Sequence, residues 1–533
     1  MYTFSIKERW ALAGLLALLL PAMLLNLGLV PLYVEEPRRA TVALEMIFSG
    51  NWLVPTINGS FYYLKPPLFN WVLAAFYQLT GSTAEWVTRM PTIISLIIFT
   101  LVIFMTGRKY VSQAFGALSS LLFITAAGNL FFNSLLAEID IFYSMITYLS
   151  LVALFHFHQK KNHFLLFITM YFLGAVGTLT KGLPSAVFTG LSLIAFFIAA
   201  GEFKKLFSWS HLLGIVIYIA IVGCYFMAYD KYGDALTYLK NLTVESGKRL
   251  SGNTFWIYLK HMILYPLDTL MNLLPASILI LFIFRKSFMK NIRENNFMKF
   301  VLLMLAVHFP VYWLPPGGRQ RYIIMLYPFF IQVFTYFYLI YFKEDKTRSG
   351  ILHILVTIAA GLGALAALSP FFIKKLEFIQ GLWPVCIVTF LMMTALFIFQ
   401  LRKPGYSVII LMYATVILRL WFGQVVLPVR ATEGGAPLNK QTAMNIASLA
   451  EGREIGILDP TYLPMQSIFY LEKQRHGIVP LCTRLEPGKL VVTEKNILSD
   501  WGKNNAGITY NTLLEFNLKD RQYLLIDAIR PRP

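Results

Sequence analysis

The sequence predicts a polytopic α-helical membrane protein with about thirteen transmembrane helices and a small α/β domain at its C-terminal end. Three observations carry that reading. First, 57% of the 533 residues are hydrophobic and only 14% are charged, with a mean hydropathy of +0.62. A soluble domain of this length cannot hide so much apolar surface. Second, the apolar residues form continuous runs of about 20, long enough to cross a bilayer as helices. They do not alternate over short strands, which excludes an outer-membrane barrel. Third, the chain turns polar after about residue 428 and carries short β-like runs there.

Taken in order, the spans fall near 10–30, 90–107, 112–128, 140–157, 164–179, 183–200, 211–229, 259–284, 298–314, 322–342, 350–373, 377–400 and 406–428. The first begins after Lys7 and Arg9 and resembles a signal peptide. Its apolar run continues to Val30 and lacks a small-x-small cleavage site, so it reads as a retained span. Arg108-Lys109, Lys160-Lys161, Lys204-Lys205, Arg285-Lys286, Lys343 with Lys346 and Arg348, and Arg402-Lys403 fall in alternate loops. The positive-inside rule makes those loops cytoplasmic. An odd number of spans then places the tail outside. The division expected is 1–428, a membrane domain with an outward loop at 31–89, and 429–533, a soluble outward domain. In the tail, runs at 454–458, 477–481, 489–493 and 523–526 read as strands, and 462–471 reads as a helix.

The net charge of +19 would suggest nucleic acid in a soluble protein. Here the basic residues sit mostly in short loops, where topology and anionic headgroups account for them. Cys224, Cys386 and Cys482 form neither a disulfide framework nor a metal spacing. His156, His158 and His163 group beside Lys160-Lys161 and read as a solvated inner loop. His308, late in a span, reads as a hydrogen-bonded bundle histidine.

Candidate chemistry gathers in the outward loops. The 31–89 loop holds Glu35-Glu36-Pro37-Arg38-Arg39 and Tyr63-Leu64-Lys65-Pro66-Pro67. Carboxylates directly after a span are costly unless partnered or used. One near Arg38 could serve as a general base; the alternative is the start of a helix, with its dipole complemented and Pro37 in the first turn. Lys65 before two prolines is a rigidly presented cation, suited to phosphate or to snorkelling. Glu138 and Asp140 stand at the mouth of the fourth span. They suit catalysis, metal binding or a solvated helix start. Lys181 interrupts a later hairpin, Arg321-Tyr322 follows Pro315-Pro316-Gly317-Gly318, and Glu245, Lys248 and Arg249 lie in the 230–258 loop. These outward cations run against the inner-positive bias. Either they converge on one anion or each snorkels alone.

In this order the motifs resemble membrane glycosyltransferases that use polyprenyl-phosphate sugar donors. The likeness is nearest to lipid A aminoarabinose transferases and more distant to protein O-mannosyltransferases. It rests on Glu35-Glu36-Pro37-Arg38, Ser49-Gly50-Asn51-Trp52 through Pro55, Asn58-Gly59, Tyr63-Leu64-Lys65-Pro66-Pro67, Arg89-Met90-Pro91, Ile139-Asp140, Leu179-Thr180-Lys181-Gly182 and Arg321-Tyr322. The resemblance implies a GT-C-like fold in a bacterial-type inner membrane, with the active site and tail extracytoplasmic. It implies transfer of a monosaccharide, with inversion, to a lipid, glycan or protein acceptor, lipid A being that of the nearest relatives. Glu35 stands where the family has its catalytic aspartate, with Glu36 beside it, and Asp140 matches a second acid. Arg38, Lys65, Arg249 and Tyr322 match donor-phosphate positions, to which the residue pattern adds Arg321 and Lys181. The family's metal positions fall at Leu64 and near Ser246, neither a suitable ligand, so no metal or other cofactor is carried over. A transporter or flippase of lipid-linked sugars is the alternative, but no repeated halves are visible. A structural or assembly protein with a partner-binding tail would leave the outward cations unexplained.

Overall fold

The computed structural model describes residues 3–247, 255–504 and 509–529. Among them, nine helices are long and apolar enough to cross a membrane, or up to eleven if each of two bent pairs forms one span. The sequence expectation of thirteen is therefore supported only in its coarser form. Two expected spans fall short for physical reasons. The helix Ile6–Leu24 carries Lys7, Glu8 and Arg9 in its first turn, and Pro184–Ala199 has only 16 residues.

The chain folds into two compact units that interleave along the sequence. One holds Met1–Leu27, Arg89–Met227 and Leu236–Leu427; the other holds Gly28–Thr88, Ala228–Ala235 and Pro428–Pro533.

The first unit is helical. Its helices Glu85–Tyr110 and Gln113–Ile124 cross at Gly107 and Gly116. A Cβ at Gly116 would lie 2.5 Å from the Phe104 carbonyl oxygen, so only glycine permits this approach. Nearby, Phe99 packs on Phe123 and Tyr148 with ring centroids 4.5 and 5.2 Å apart. The bent pairs, Gln113–Ile124 with Ala127–Leu135 and Phe255–Asn272 with Ala276–Phe282, turn by 41° and 110°. Breaks in apolar surroundings free backbone groups that must find partners. Here they find each other: the Ala127 N–H donates to the Leu274 carbonyl at 2.6 Å. Side chains complete the set, with Asn129 Nδ2 donating to the Phe123 carbonyl and Arg419 Nε to the Leu130 carbonyl. His308 is buried, stacked on Phe188 and hydrogen-bonded to Ser192 at 2.8 Å, as the sequence suggests.

The second unit joins the 31–89 loop to the tail. The helix Glu36–Ser49 packs on Leu68–Thr80 and on the tail helix Met465–Arg475. Strands β1 (Thr56–Ile57) and β2 (Ser60–Phe61) form a hairpin. Its two-residue tip, Asn58-Gly59, has φ of 54° and 71°, the left-handed pair such tight turns require. The tail contains β3 (Ile455–Leu458), β4 (Leu481–Cys482), β5 (Leu490–Glu494), β6 (Thr509–Leu518) and β7 (Arg521–Ile529). They form one sheet in the order β4-β3-β5-β7-β6, parallel around β3 and antiparallel from β5 onward. The strand expected at 477–481 is shorter and later, and β6 was not expected. β6 is almost wholly exposed and polar at alternate positions, so it gives little apolar signal.

A buried acid pair lies where the hairpin meets the tail. Glu45 accepts hydrogen bonds from the Asn58 and Gly59 N–H groups at 2.5 and 3.2 Å. Glu472 accepts one from the Val479 N–H at 3.1 Å. Asn58 closes the joint, its Nδ2 donating to the Val479 carbonyl and its carbonyl accepting from the Leu481 N–H. Burial raises both carboxyls above the ordinary 4.5, and the Glu45 charge pushes Glu472 up further. The folded unit therefore holds a proton that the unfolded chain releases. Its stabilisation is complete below the ordinary carboxylate range and is lost as pH rises through the raised folded values. Glu472→Gln keeps the shape and removes the titration. It is expected to raise the apparent melting temperature at about pH 8 by about 2–4 °C, roughly 1 kcal/mol, with little change at about pH 5. Thermal unfolding of the purified chain at the two pH values checks this.

Candidate functional site

The helical unit contains a buried cluster of two acids and two bases. It starts where an irregular segment turns into the helix Ile139–Gln159. Glu138 is the N-cap residue, in extended conformation, and Asp140 lies in the first turn. Acids there complement the helix dipole. Lys181 is the last residue of the helix His163–Lys181, where a cation is favoured, and Gly182 with φ of 86° ends that helix. Two helix ends of opposite polarity therefore deliver opposite charges. Arg321 comes from the short 3-10 turn Gln320–Tyr322.

The distances are those of ion pairs. Lys181 Nζ lies 2.6 Å from Asp140 Oδ1, with both side chains buried. Arg321 donates to Glu138 Oε2 at 3.0 Å, and its Nε lies 4.0 Å from Asp140 Oδ2. The Lys181 ammonium also sits over the Tyr143 and Tyr322 rings, 4.7 and 5.1 Å from their centroids. Glu138 Oε1 and Arg321 Nε are buried without a hydrogen-bond partner among the described residues.

Glu138 stands just outside the helix. Burial first, then the Asp140 charge, push its carboxyl up to about 7. Arg321 pulls the other way without prevailing. Burial opposes the charge on Arg321, but Asp140 and Glu138 together hold it above its ordinary value. With Glu138 protonated the four side chains carry a net single positive charge, and with it ionised they carry none. Such a cluster can accept an anion or exchange a proton near neutral pH.

The structure thus brings together Asp140, Lys181, Arg321 and Tyr322 among the residues singled out in the sequence. Glu138, read in the sequence as one half of an acid pair with Asp140, joins them; Tyr143 was missed, because an apolar-facing tyrosine in a span carries no sequence signal. Glu35, Glu36, Arg38 and Lys65 belong to the second unit. Glu35 is the N-cap of the helix Glu36–Ser49, stays partly exposed and pairs with Arg38 at 2.5 Å. Glu36 is fully buried, its Oε2 accepting from the Tyr33 N–H at 3.1 Å. Lys65 is half-buried before the helix Leu68–Thr80. Leu64 packs against Val42, Met46 and Tyr62, an apolar setting that suits no metal ligand. Arg249 and Lys248 lie outside the described residues, as do the side chains of Glu245 and Ser246.

A family model for dolichyl-phosphate-mannose-protein mannosyltransferases matches residues 64–226, under a third of the chain. An undecaprenyl phosphate-alpha-4-amino-4-deoxy-L-arabinose arabinosyl transferase of Pseudomonas savastanoi pv. phaseolicola is 25% identical over 322 residues, 58% of this chain and 58% of that protein. The corresponding transferase 1 of Proteus mirabilis is 28% identical over 182 residues, 33% and 32% of the two chains. The matches thus span less than two thirds of these relatives. The crystal structure of ArnT from Cupriavidus metallidurans bound to undecaprenyl phosphate superposes with a TM-score of 0.70 at 18% identity, covering 96% of this chain and 97% of that one. The chain has that fold, and it resembles the polyprenyl-phosphate-dependent membrane glycosyltransferases.

The ion pair makes its own prediction. Asp140→Asn leaves Lys181 buried without a counter-charge and is expected to cost about 3–5 kcal/mol. Adding Lys181→Met removes the stranded charge and should recover more than half of that loss. A double-mutant cycle by thermal unfolding checks the coupling; strictly additive losses would refute it.

Proposed function

We propose that this chain, built on the ArnT fold, transfers a monosaccharide from a polyprenyl-phosphate donor to an acceptor on the outer side of an inner membrane. The observation that carries the reading is the buried Glu138–Asp140–Lys181–Arg321 cluster in a chain of that fold. The relatives' names give an undecaprenyl phosphate-linked sugar as donor; the acceptor class in this reading is a lipid, with lipid A the first candidate, as the sequence resemblance implies. The helices Ile6–Leu24 and Pro184–Ala199 complete a set of thirteen spans in this reading.

In the reaction, the acceptor oxygen attacks the sugar's anomeric carbon as the bond from that carbon to the donor phosphate oxygen breaks. Configuration inverts, and polyprenyl phosphate leaves with the bonding electrons. Where the acceptor is a hydroxyl, its proton passes to a carboxylate. Glu35 takes that role. Its partial exposure and its pairing with Arg38 favour it over Glu36, which is buried on a backbone N–H. Arg38, Lys65, Arg249, Arg321 and Tyr322 serve the donor phosphate, offsetting the negative charge that grows on it. Lys181 acts mainly by holding Asp140, to which it is tied at 2.6 Å.

Purified protein with a labelled undecaprenyl-phosphate sugar and lipid A is the direct test. Glu35→Gln is expected to lower kcat roughly 10²–10⁴-fold. Lys65→Ala should act chiefly on the donor's KM. If no sugar leaves the donor while lipid-linked sugar crosses vesicle membranes, the transferase reading gives way to transport.

The cluster's charge also predicts a pH profile. As pH rises through about 7, Glu138 ionises and the cluster loses its net positive charge. Donor kcat/KM is therefore expected to fall above about 7. Glu138→Gln, permanently neutral, should extend the plateau upward. An unchanged profile in that variant would remove Glu138 from the site.

A further inference from the structure

A second polar cluster lies in the helical unit, on the face that the basic loops mark as inner. His158 is in the last turn of the helix Ile139–Gln159, and His163 is the first residue of His163–Lys181. Glu202 follows the helix Pro184–Ala199 and starts the 3-10 turn Phe203–Phe207. Three separate segments thus contribute one side chain each. The sequence grouped the two histidines but gave no reason to add an acid 39 residues further on.

The donor atoms face one another. His163 Nε2 lies 3.2 Å from Glu202 Oε2, and His158 Nε2 lies 3.5 Å from Glu202 Oε1. All three ligand atoms fall within 4.8 Å of one another. A tetrahedral ion with bonds of about 2.0–2.1 Å sets its donors about 3.3–3.4 Å apart. The two histidine–carboxylate separations, one to each oxygen of Glu202, lie close to that edge.

An ordinary imidazole–carboxylate hydrogen bond explains only half of the arrangement. It accounts for His163. At 3.5 Å His158 is too far from Glu202 for a good hydrogen bond. Its other ring nitrogen, Nδ1, is buried without a partner among the described residues. An imidazole turned toward a carboxylate with neither nitrogen hydrogen-bonded is incompletely satisfied. A cation between His158 Nε2 and the Glu202 carboxylate would engage both of those groups and leave Nδ1 as the protonated nitrogen.

The surroundings hold the ligands in place. Lys161 and Gly201 adopt φ of 53° and 69° in the two turns, and the Glu202 N–H donates to the Phe197 carbonyl at 2.9 Å. The His158 ring meets Phe196 edge-on at 4.8 Å. Lys160, Lys161, Lys204 and Lys205 belong to the same loops, but all are exposed, where solvent and salt screen them. The three ligand side chains are 19–37% exposed, which leaves a fourth position open to water.

We propose that His158, His163 and Glu202 form a binding site for a divalent transition-metal ion, Zn²⁺ by donor set, that ties three helix ends together. The site is separate from the Glu138–Asp140 cluster and supplies no step of the transfer.

The test uses the full-length protein in detergent, stripped with a chelator and titrated with Co²⁺ alone. One Co²⁺ per chain is expected, with the intense visible absorption of a low-coordinate N/O site, abolished by equimolar Zn²⁺. Glu202→Gln and His163→Gln should each weaken binding roughly a hundredfold or more, beyond the 10–100-fold typical of outer-shell changes. His156→Gln and Glu138→Gln should bind as the parent does. Zn²⁺ should raise the apparent melting temperature of the parent but not of Glu202→Gln. His158→Gln, read beside them, guards against one variant simply misfolding. Absence of the visible band, or equal Co²⁺ affinity in Glu202→Gln and parent, would overturn the assignment.

Discussion

Burying a charge where water cannot reach it is the constraint on which the rest of this structure depends. A carboxylate at the position of Asp140 is affordable only with a cation in contact. The surrounding architecture supplies that cation. One helix begins at Ile139 and another ends at Lys181, so the termini present opposite partial charges to the same spot. Gly182 lets the chain leave at once, and Arg321 arrives from a short turn rather than a regular helix. The aromatic faces of Tyr143 and Tyr322 stabilise the ammonium without adding charge. What remains is a cluster close to neutrality, with Glu138 placed to tip it either way.

The second unit meets the same constraint differently. Among the described residues, Glu45 and Glu472 have no cation between them. Backbone N–H groups from the hairpin and from Val479 satisfy part of their valence, and a retained proton removes one charge. One acid pair is balanced by bases and the other by protonation. The first arrangement leaves a site able to respond to an anion. The second makes a joint, since both acids are engaged with the backbone that connects loop to tail.

Much of this was legible in the sequence because it follows from chemistry local to the chain. Apolar runs mark helices. Basic pairs mark one side. The polar tail announces strands through β-branched runs such as Leu490–Glu494. What stayed hidden is pairing across sequence. Nothing near Glu138 or Asp140 names their partners, because Lys181 and Arg321 lie 41 and 183 residues away along the pairs they make. Glu202 was invisible as a companion of the inner histidines for the same reason. Hydropathy alone passes over the three charged residues opening Ile6–Leu24 and the shortness of Pro184–Ala199, so length and charge support nine to eleven of the thirteen expected spans among the described residues. β6 escaped notice because an exposed edge strand has no face to bury.

The joint between loop and tail also bears on inheritance and engineering. Residues 28–88 and the tail touch through Glu45 with Glu472, Asn58 with Val479, and Glu85 with Lys440 and Tyr470. They therefore behave as one cassette split by the intervening helices. A chimaera that exchanges only the tail with a relative severs all three contacts at once. Grafts should carry both halves, and compensating changes should accumulate between segments some four hundred residues apart.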